Sequence, residues 1–264
     1  MPTSTVTQQI SDNFKDISNW LISNRLKLNS EKSNFIAFSL RGTIQLPPIN
    51  LGNNFIRQTD HTKFLGLYID QNLNFKHHTN HIASKIARSI GILYRLSSYL
   101  PTNVLISLYN SLILPYLTYS IESWFSAPNY ITKQIETLQK KSIRTIFRLP
   151  YNDHTHEHFK NNNILKLTDL HKLNTCSLFY KYINNPNSNT QNIAALFNTN
   201  SDQHDYNTRH QNSYITPHYN KTRTQQCYKY TAIKFWNSIP DHVKDSNTAK
   251  KFKNQLKKYL IDQY

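Results

Sequence analysis

A site that moves nucleotides with two metal ions needs carboxylates gathered in one place, so the acids are the first residues to weigh. No Asp-Asp pair occurs in the 264 residues, and the early acids Asp12, Asp16, Glu31, Asp60 and Asp70 are scattered. Asp12 and Asp16 share a face of any helix that holds both, where they read as favourable first-turn charges rather than as metal ligands. His154-Thr155-His156-Glu157-His158 offers three alternating imidazoles, which on a strand would meet on one side and could hold zinc. No further ligand follows at a typical spacing, so the bland reading is a polar loop, and no bound metal is expected. Cys176 and Cys227 lie far apart, outside any CxxC or Cys/His pattern, which suits a reducing compartment. With four glycines there is no P-loop, no GxGxxG and no nucleophile elbow.

The cations carry more information. Lys and Arg number 31 against 15 Asp and Glu, a formal charge of +16 with a sequence pI near 9.7. Such a surface attracts polyanions. At 100° per residue Lys133, Lys140, Lys141, Arg144 and Arg148 fall within an arc of about 100°, opposite Ile131, Ile135, Leu138 and Ile146. A second stripe gathers His78, His81, Lys85, Arg88 and Arg95 away from Ile82, Ile86, Ile90 and Leu93. From Lys76 to Arg148 there are nine Lys/Arg and two acids, Glu122 and Glu136, a local net of +7. Ordinary solvated faces are the alternative. Two neighbouring stripes of one sign with so few acids favour binding to a phosphate backbone, which needs charge rather than base reading.

These stripes need helices to carry them. Ile10, Phe14, Ile17 and Leu21 predict a first helix, capped by Ser11 or Asp12. Phe35-Ile36-Ala37-Phe38 suits a buried strand, Ile49 to Ile56 around Gly52-Asn53-Asn54 a hairpin, and Phe64 to Ile69 a further strand. Helices are then predicted from His77 to Leu100, from a cap at Thr102 or Asn103 through Leu112, and from Tyr130 to Arg148. Three more are expected near Thr168 to Pro186, from Tyr228 to Ser238, and from Thr248 to Gln263 with Asn247 or Thr248 as cap. The Asn/Ser/Thr-rich stretch near 184–205 reads as a linker. No run reaches the roughly 18 apolar residues of a membrane span, and Met1 to Gln9 lacks the features of a secretory signal. The fold class expected is α+β, a small α/β unit followed by helices.

Several of these stretches also resemble a family. Ile17-Ser18-Asn19-Trp20-Leu21, Asn24-Arg25-Leu26-Lys27-Leu28-Asn29 and Glu31-Lys32-Ser33 are similar to the helix–turn–strand behind the catalytic aspartates of non-LTR (LINE-type) retrotransposon reverse transcriptases. Lys63-Phe64-Leu65-Gly66-Leu67-Tyr68-Ile69-Asp70 resembles the hairpin that grips the primer end. Ile113-Leu114-Pro115-Tyr116-Leu117-Thr118-Tyr119, Trp124, Leu138-Gln139 and Arg144-Thr145-Ile146 resemble the thumb. Tyr206-Asn207-Thr208-Arg209, Phe235-Trp236-Asn237-Ser238-Ile239-Pro240 and Phe252-Lys253 to Leu256-Lys257 resemble the region beyond it.

The resemblance implies a palm remnant with the primer-grip hairpin over residues 1–74, a helical thumb over 75–150, and a mostly helical C-terminal extension over 151–264. It implies a fragment of an RNA-directed DNA polymerase that keeps duplex-gripping elements, namely Phe64, Leu65 and Gly66 in the primer grip and Lys85, Arg88, Arg95, Lys133, Lys140, Lys141, Arg144 and Arg148 on the stripes. The partners expected are an RNA–DNA or DNA duplex and RNA, in the nucleus or cytoplasm, and no membrane. The family's paired aspartates have no counterpart here, Met1 to Gln9 standing in their place. Lys32 matches a motif lysine but lacks those metal-binding partners, so no catalytic residue is expected. No cofactor is expected either, although a complete polymerase would require Mg²⁺. The alternative is a non-catalytic nucleic-acid-binding protein derived from a mobile element.

Overall fold

The computed structural model describes residues 3–29, 31–39, 42–51, 54–184, 193–203 and 211–264. Among these lie twelve α-helices and five short strands, an α+β protein in which helices dominate. The chain divides into two compact units, residues 1–78 and 79–264. Tyr206-Asn207-Thr208-Arg209, the Gly52-Asn53 turn and most of the expected linker lie outside the described residues.

The first unit opens with α1 (Thr3–Ser23), followed by β1 (Asn34–Phe35), β2 (Ile49–Leu51), β3 (Asn54–Gln58), β4 (His61–Phe64) and β5 (Leu67–Asp70). β3 sits centrally in a three-stranded sheet, pairing parallel with β1 and antiparallel with β2. Ile49 and Ile56 face each other across that ladder and are both buried. Gln58 pins the preceding loop, its amide donating to the Ile44 carbonyl (2.6 Å) and accepting from the Leu46 N–H (2.7 Å). The β4–β5 hairpin is a separate two-stranded sheet. Its exit is held by Asp70, a buried carboxylate that accepts from the N–H groups of Asn72, Asn74 and Phe75. Those bonds stabilise a connection in which Leu73 and Phe75 both take positive φ, a conformation costly for such side chains.

Several sequence expectations change here. α1 begins at Thr3, because no Pro or Gly interrupts residues 3–23. Asp12 is therefore not a cap but an interior residue paired with Lys15 at 3.0 Å. The Phe35–Phe38 strand shrinks to Asn34–Phe35, since its partner β3 ends at Gln58, and Phe38 is left exposed. Phe64 to Ile69 is not one strand. Leu65 (φ 46°) and Gly66 (φ 89°) reverse the chain as a two-residue turn, of the positive-φ kind that suits hairpin twist.

The second unit is helical. It takes in most of α2 (Lys76–Leu96), then α3 (Thr102–Leu112), α4 (Leu114–Thr118), α5 (Ile121–Trp124), α6 (Asn129–Phe147), α7 (His156–Asn161) and α8 (Leu167–Asn184). Beyond lie α9 (Thr222–Gln225), α10 (Tyr228–Asn237), α11 (Asp241–Lys244) and α12 (Ala249–Asp262). Periodicity misses α4, α5, α7, α9 and α11, all too short to show it. Pro101, not Thr102 or Asn103, precedes α3, with no side-chain cap bond. Thr248 does cap α12, accepting from the Lys251 N–H at 3.2 Å.

α8 is buried nearly all round, through Leu167, Leu170, His171, Leu173, Thr175, Cys176, Phe179 and Tyr180. It packs against α4, α5 and α6 on one hand and α10 and α12 on the other. The division near residue 150 is thus one of expected role, while the core runs across it. Phe179 meets Phe197, Tyr214 and Trp236 edge-on, Tyr180 stacks on Phe252, and Asn237 clamps the backbone of Tyr214 through both amide atoms. None of the described helices is long and apolar enough to cross a membrane.

Two buried polar groups organise this core. Gln139 of α6 donates to the Tyr109 hydroxyl (3.0 Å) and the Leu165 carbonyl (2.9 Å), and accepts from the Leu167 N–H (2.9 Å). Gln139→Leu orphans all three partners, and unfolding in urea should show a loss of about 3 kcal/mol. An unchanged midpoint would mean that these bonds contribute nothing net. His171 lies between Phe125, stacked at 4.3 Å, and Phe235, edge-on at 5.4 Å. Burial lowers its pKa from 6.5 to about 4, so the folded state holds it neutral. The folded value is depressed, so its contribution is complete above about pH 6.5 and is lost as pH falls toward 4. Between pH 7 and 4.5 the wild type should lose about 2–3 kcal/mol more than His171→Leu. Parallel pH profiles for the two proteins would show that His171 does not drive the loss.

Candidate nucleic-acid interface

The geometry of α6 follows from its sequence. Ile131, Thr132, Ile135, Gln139, Ser142, Ile143 and Ile146 are buried, so the opposite face must meet solvent. Lys133, Lys140 and Lys141 stand exposed there, and none of them enters an ion pair among the described residues. On α2, Arg88 and Arg95 are exposed and Lys85 half-buried, again without a carboxylate partner. Glu122, one of the two acids in this stretch, is half-buried, and desolvation raises its pKa.

Three stripe residues are placed differently from expectation. Arg148 is not part of the helix face. It ends α6 in the left-handed conformation (φ 55°) and turns back, its Nε donating to the Ser97 carbonyl (2.9 Å) and Nη2 to the Leu100 carbonyl (3.2 Å). It ties the end of α6 to the corner between α2 and α3. Arg144 is half-buried, donates to the Asp153 carbonyl (3.1 Å) and lies over the Tyr151 ring, so its charge reaches the surface with its orientation already fixed. His78 is buried at 2% exposure and cannot belong to a solvent stripe.

In the first unit the hairpin places Phe64, Leu65 and Gly66 together at its tip. Phe64 is 60% exposed and Leu65 77% exposed, two large apolar side chains presented to solvent on a backbone strained at Leu65. Lys32 is exposed, in a turn where Asn29 accepts its N–H.

The described carboxylates do not make a two-metal set. Asp12 pairs with Lys15, Asp70 is spent on backbone, and Asp60 accepts from His61 at 2.8 Å, a bond that lowers the Asp60 pKa. The three histidines of residues 154–158 do not converge, because His156 and His158 lie on a helix where alternate positions diverge by about 200°. His158 packs on Phe147, and His156 meets Lys166 and Tyr264. Sequence spacing misses a different cluster, Asp60, His61 and His77, whose ligand atoms all lie within 4.8 Å of one another. Only the β4–β5 hairpin brings positions 61 and 77 together, and no local motif signals it.

No known family profile matches the chain, and no solved structure matches it. Two curated proteins of Drosophila melanogaster do. The RNA-directed DNA polymerase from mobile element jockey is 26% identical over 197 residues, 73% of this chain and 20% of that protein. The probable RNA-directed DNA polymerase from transposon X-element is 26% identical over 140 residues, 52% of this chain and 15% of that protein. The matched stretch thus spans a fifth or less of either relative. With the motif order and these two matches in agreement, the chain is similar, over most of its length, to part of the RNA-directed DNA polymerases of non-LTR retrotransposons.

Proposed function

We propose that this chain is a duplex-gripping part of a retrotransposon RNA-directed DNA polymerase, binding nucleic acid through the cationic faces of α2 and α6. The observation that carries this reading is the α6 face, where Lys133, Lys140 and Lys141 are exposed and, among the described residues, without ion-pair partners while the opposite face is locked into the core. Such a row neutralises successive phosphates and releases their counterions, giving affinity without base preference. In this reading residues 75–150 serve as thumb. The Phe64–Leu65–Gly66 tip contacts a primer end, with apolar side chains suited to a base or sugar surface rather than to phosphate. An RNA–DNA hybrid, as reverse transcription generates, is the expected substrate form.

The 264 residues by themselves bring no paired aspartates. Primer extension on a primed RNA template with Mg²⁺ or Mn²⁺ should therefore stay at the no-enzyme background. Template-dependent incorporation from a clean preparation would refute that expectation.

Duplex binding has its own test. Lys140→Ala/Lys141→Ala should weaken duplexes of all sequences alike and flatten the dependence of log affinity on log salt by about one to two units. Neither side chain holds a core contact, so thermal stability should be unchanged. Arg148→Ala should behave oppositely, lowering stability by about 1–2 kcal/mol through its orphaned carbonyls. A folded Lys140/Lys141 variant with wild-type affinity and slope would reduce these to ordinary solvated charges.

A further inference from the structure

We propose that Asp60, His61 and His77 form a binding site for a divalent transition metal, with zinc the best-suited ion. The two imidazoles stack face to face, centroids 3.9 Å apart and planes within 4°, and Asp60 lies against His61 at 2.8 Å. One donor atom from each residue falls within a 4.8 Å cluster. Ligands at about 2.0–2.1 Å from zinc sit roughly 3.3 Å apart in a tetrahedron. Closing that gap needs rotations that turn at least one ring out of the stack, because each nitrogen lone pair lies in its own ring plane and parallel planes cannot share an ion. Those rotations meet little resistance, since Asp60 and His77 are exposed and His61 is half-buried.

The donor chemistry narrows the ion. Two neutral imidazoles and one carboxylate suit zinc and its neighbours in the transition series, whereas calcium and magnesium prefer all-oxygen sets. Three protein ligands leave a position for water.

The site joins two segments whose histidines lie sixteen positions apart in the chain. His61 opens β4 opposite Asp70, and His77 lies in the first turn of α2. Between them run the hairpin and the Asp70-held connection. A bound ion would add a third tie across the base of the hairpin whose tip carries Phe64, Leu65 and Gly66. This inference does not depend on the chain's binding nucleic acid.

Titration of the full chain with Zn²⁺ by isothermal calorimetry tests it. The wild type should take up one ion more tightly than any other. His61→Ala/His77→Ala should weaken that uptake by more than about tenfold, since loss even of a ligand's supporting partner costs roughly that much. His154→Ala/His156→Ala/His158→Ala should leave it intact. Circular dichroism checks the fold of each variant, and His77→Gln, a single change at an exposed helical position, provides a second loss-of-ligand variant. The proposal is overturned if the wild type takes up no zinc, if the His61/His77 and His77→Gln variants keep wild-type affinity, or if the 154–158 triple variant loses it instead.

Discussion

The second unit depends on the buried amide of Gln139. A side-chain amide has donors and an acceptor on one short stem, and here both kinds are used in one place. They join the hydroxyl of Tyr109 on α3 to the backbone of Leu165 and Leu167 at the entry to α8. The arrangement fixes three things together: the rotation of α6 about its axis, the depth of α3, and the start of α8. Burial pushes the Tyr109 hydroxyl up to about 12, so it stays protonated across the physiological range. Hydrophobic packing is non-directional and would tolerate rotation of α6. The amide does not, and the rotation of α6 decides which way its lysines point.

That constraint explains why similar cations on one helix end in different roles. Lys133, Lys140 and Lys141 lie opposite Gln139's buried face and go to solvent. Arg148 lies one residue past the helix, where the chain must leave α6 in the left-handed conformation. Carbonyls of the neighbouring corner are within its reach, and a guanidinium can serve two of them from one planar fork. Lysine's single ammonium could not reproduce that geometry. Arc position on a helical wheel cannot separate these cases, because it assumes that the helix continues.

Much of the fold was legible in the sequence, and the misses share a cause. The long helices follow from apolar spacing that leaves little choice of face, as at Ile82, Ile86, Ile90 and Leu93 of α2, all buried. So does the cap at Thr248. α4, α5, α7, α9 and α11 have one turn or little more, too few residues for periodicity, and tertiary contacts hold them. Phe159, 1% exposed, anchors α7 where the sequence read as a polar loop. In the candidate interface, the exposed lysines were legible because a charge opposite an apolar stripe has nowhere else to go. The role of Arg148 was not, since it depends on carbonyls about fifty residues away. Nor was the Asp60, His61 and His77 cluster, which exists only once the hairpin has formed.

The acids complete the electrostatic picture. With 15 carboxylates against 31 cations, where each acid sits matters as much as the total. Asp70 is turned onto backbone, Asp169 accepts the Tyr264 hydroxyl at 2.6 Å, and Asp202 accepts the Thr199 N–H at 2.6 Å. Glu122 is half-buried beneath the surface. Most of these groups hold local structure rather than neighbouring cations. The exposed lysines of α6 thus keep their attraction for an outside polyanion instead of losing it to internal ion pairs. A charge excess spread evenly would give solubility alone. In this chain part of it lies on α6, whose rotation a buried amide sets, and the proposed grip on a phosphate backbone rests on that placement.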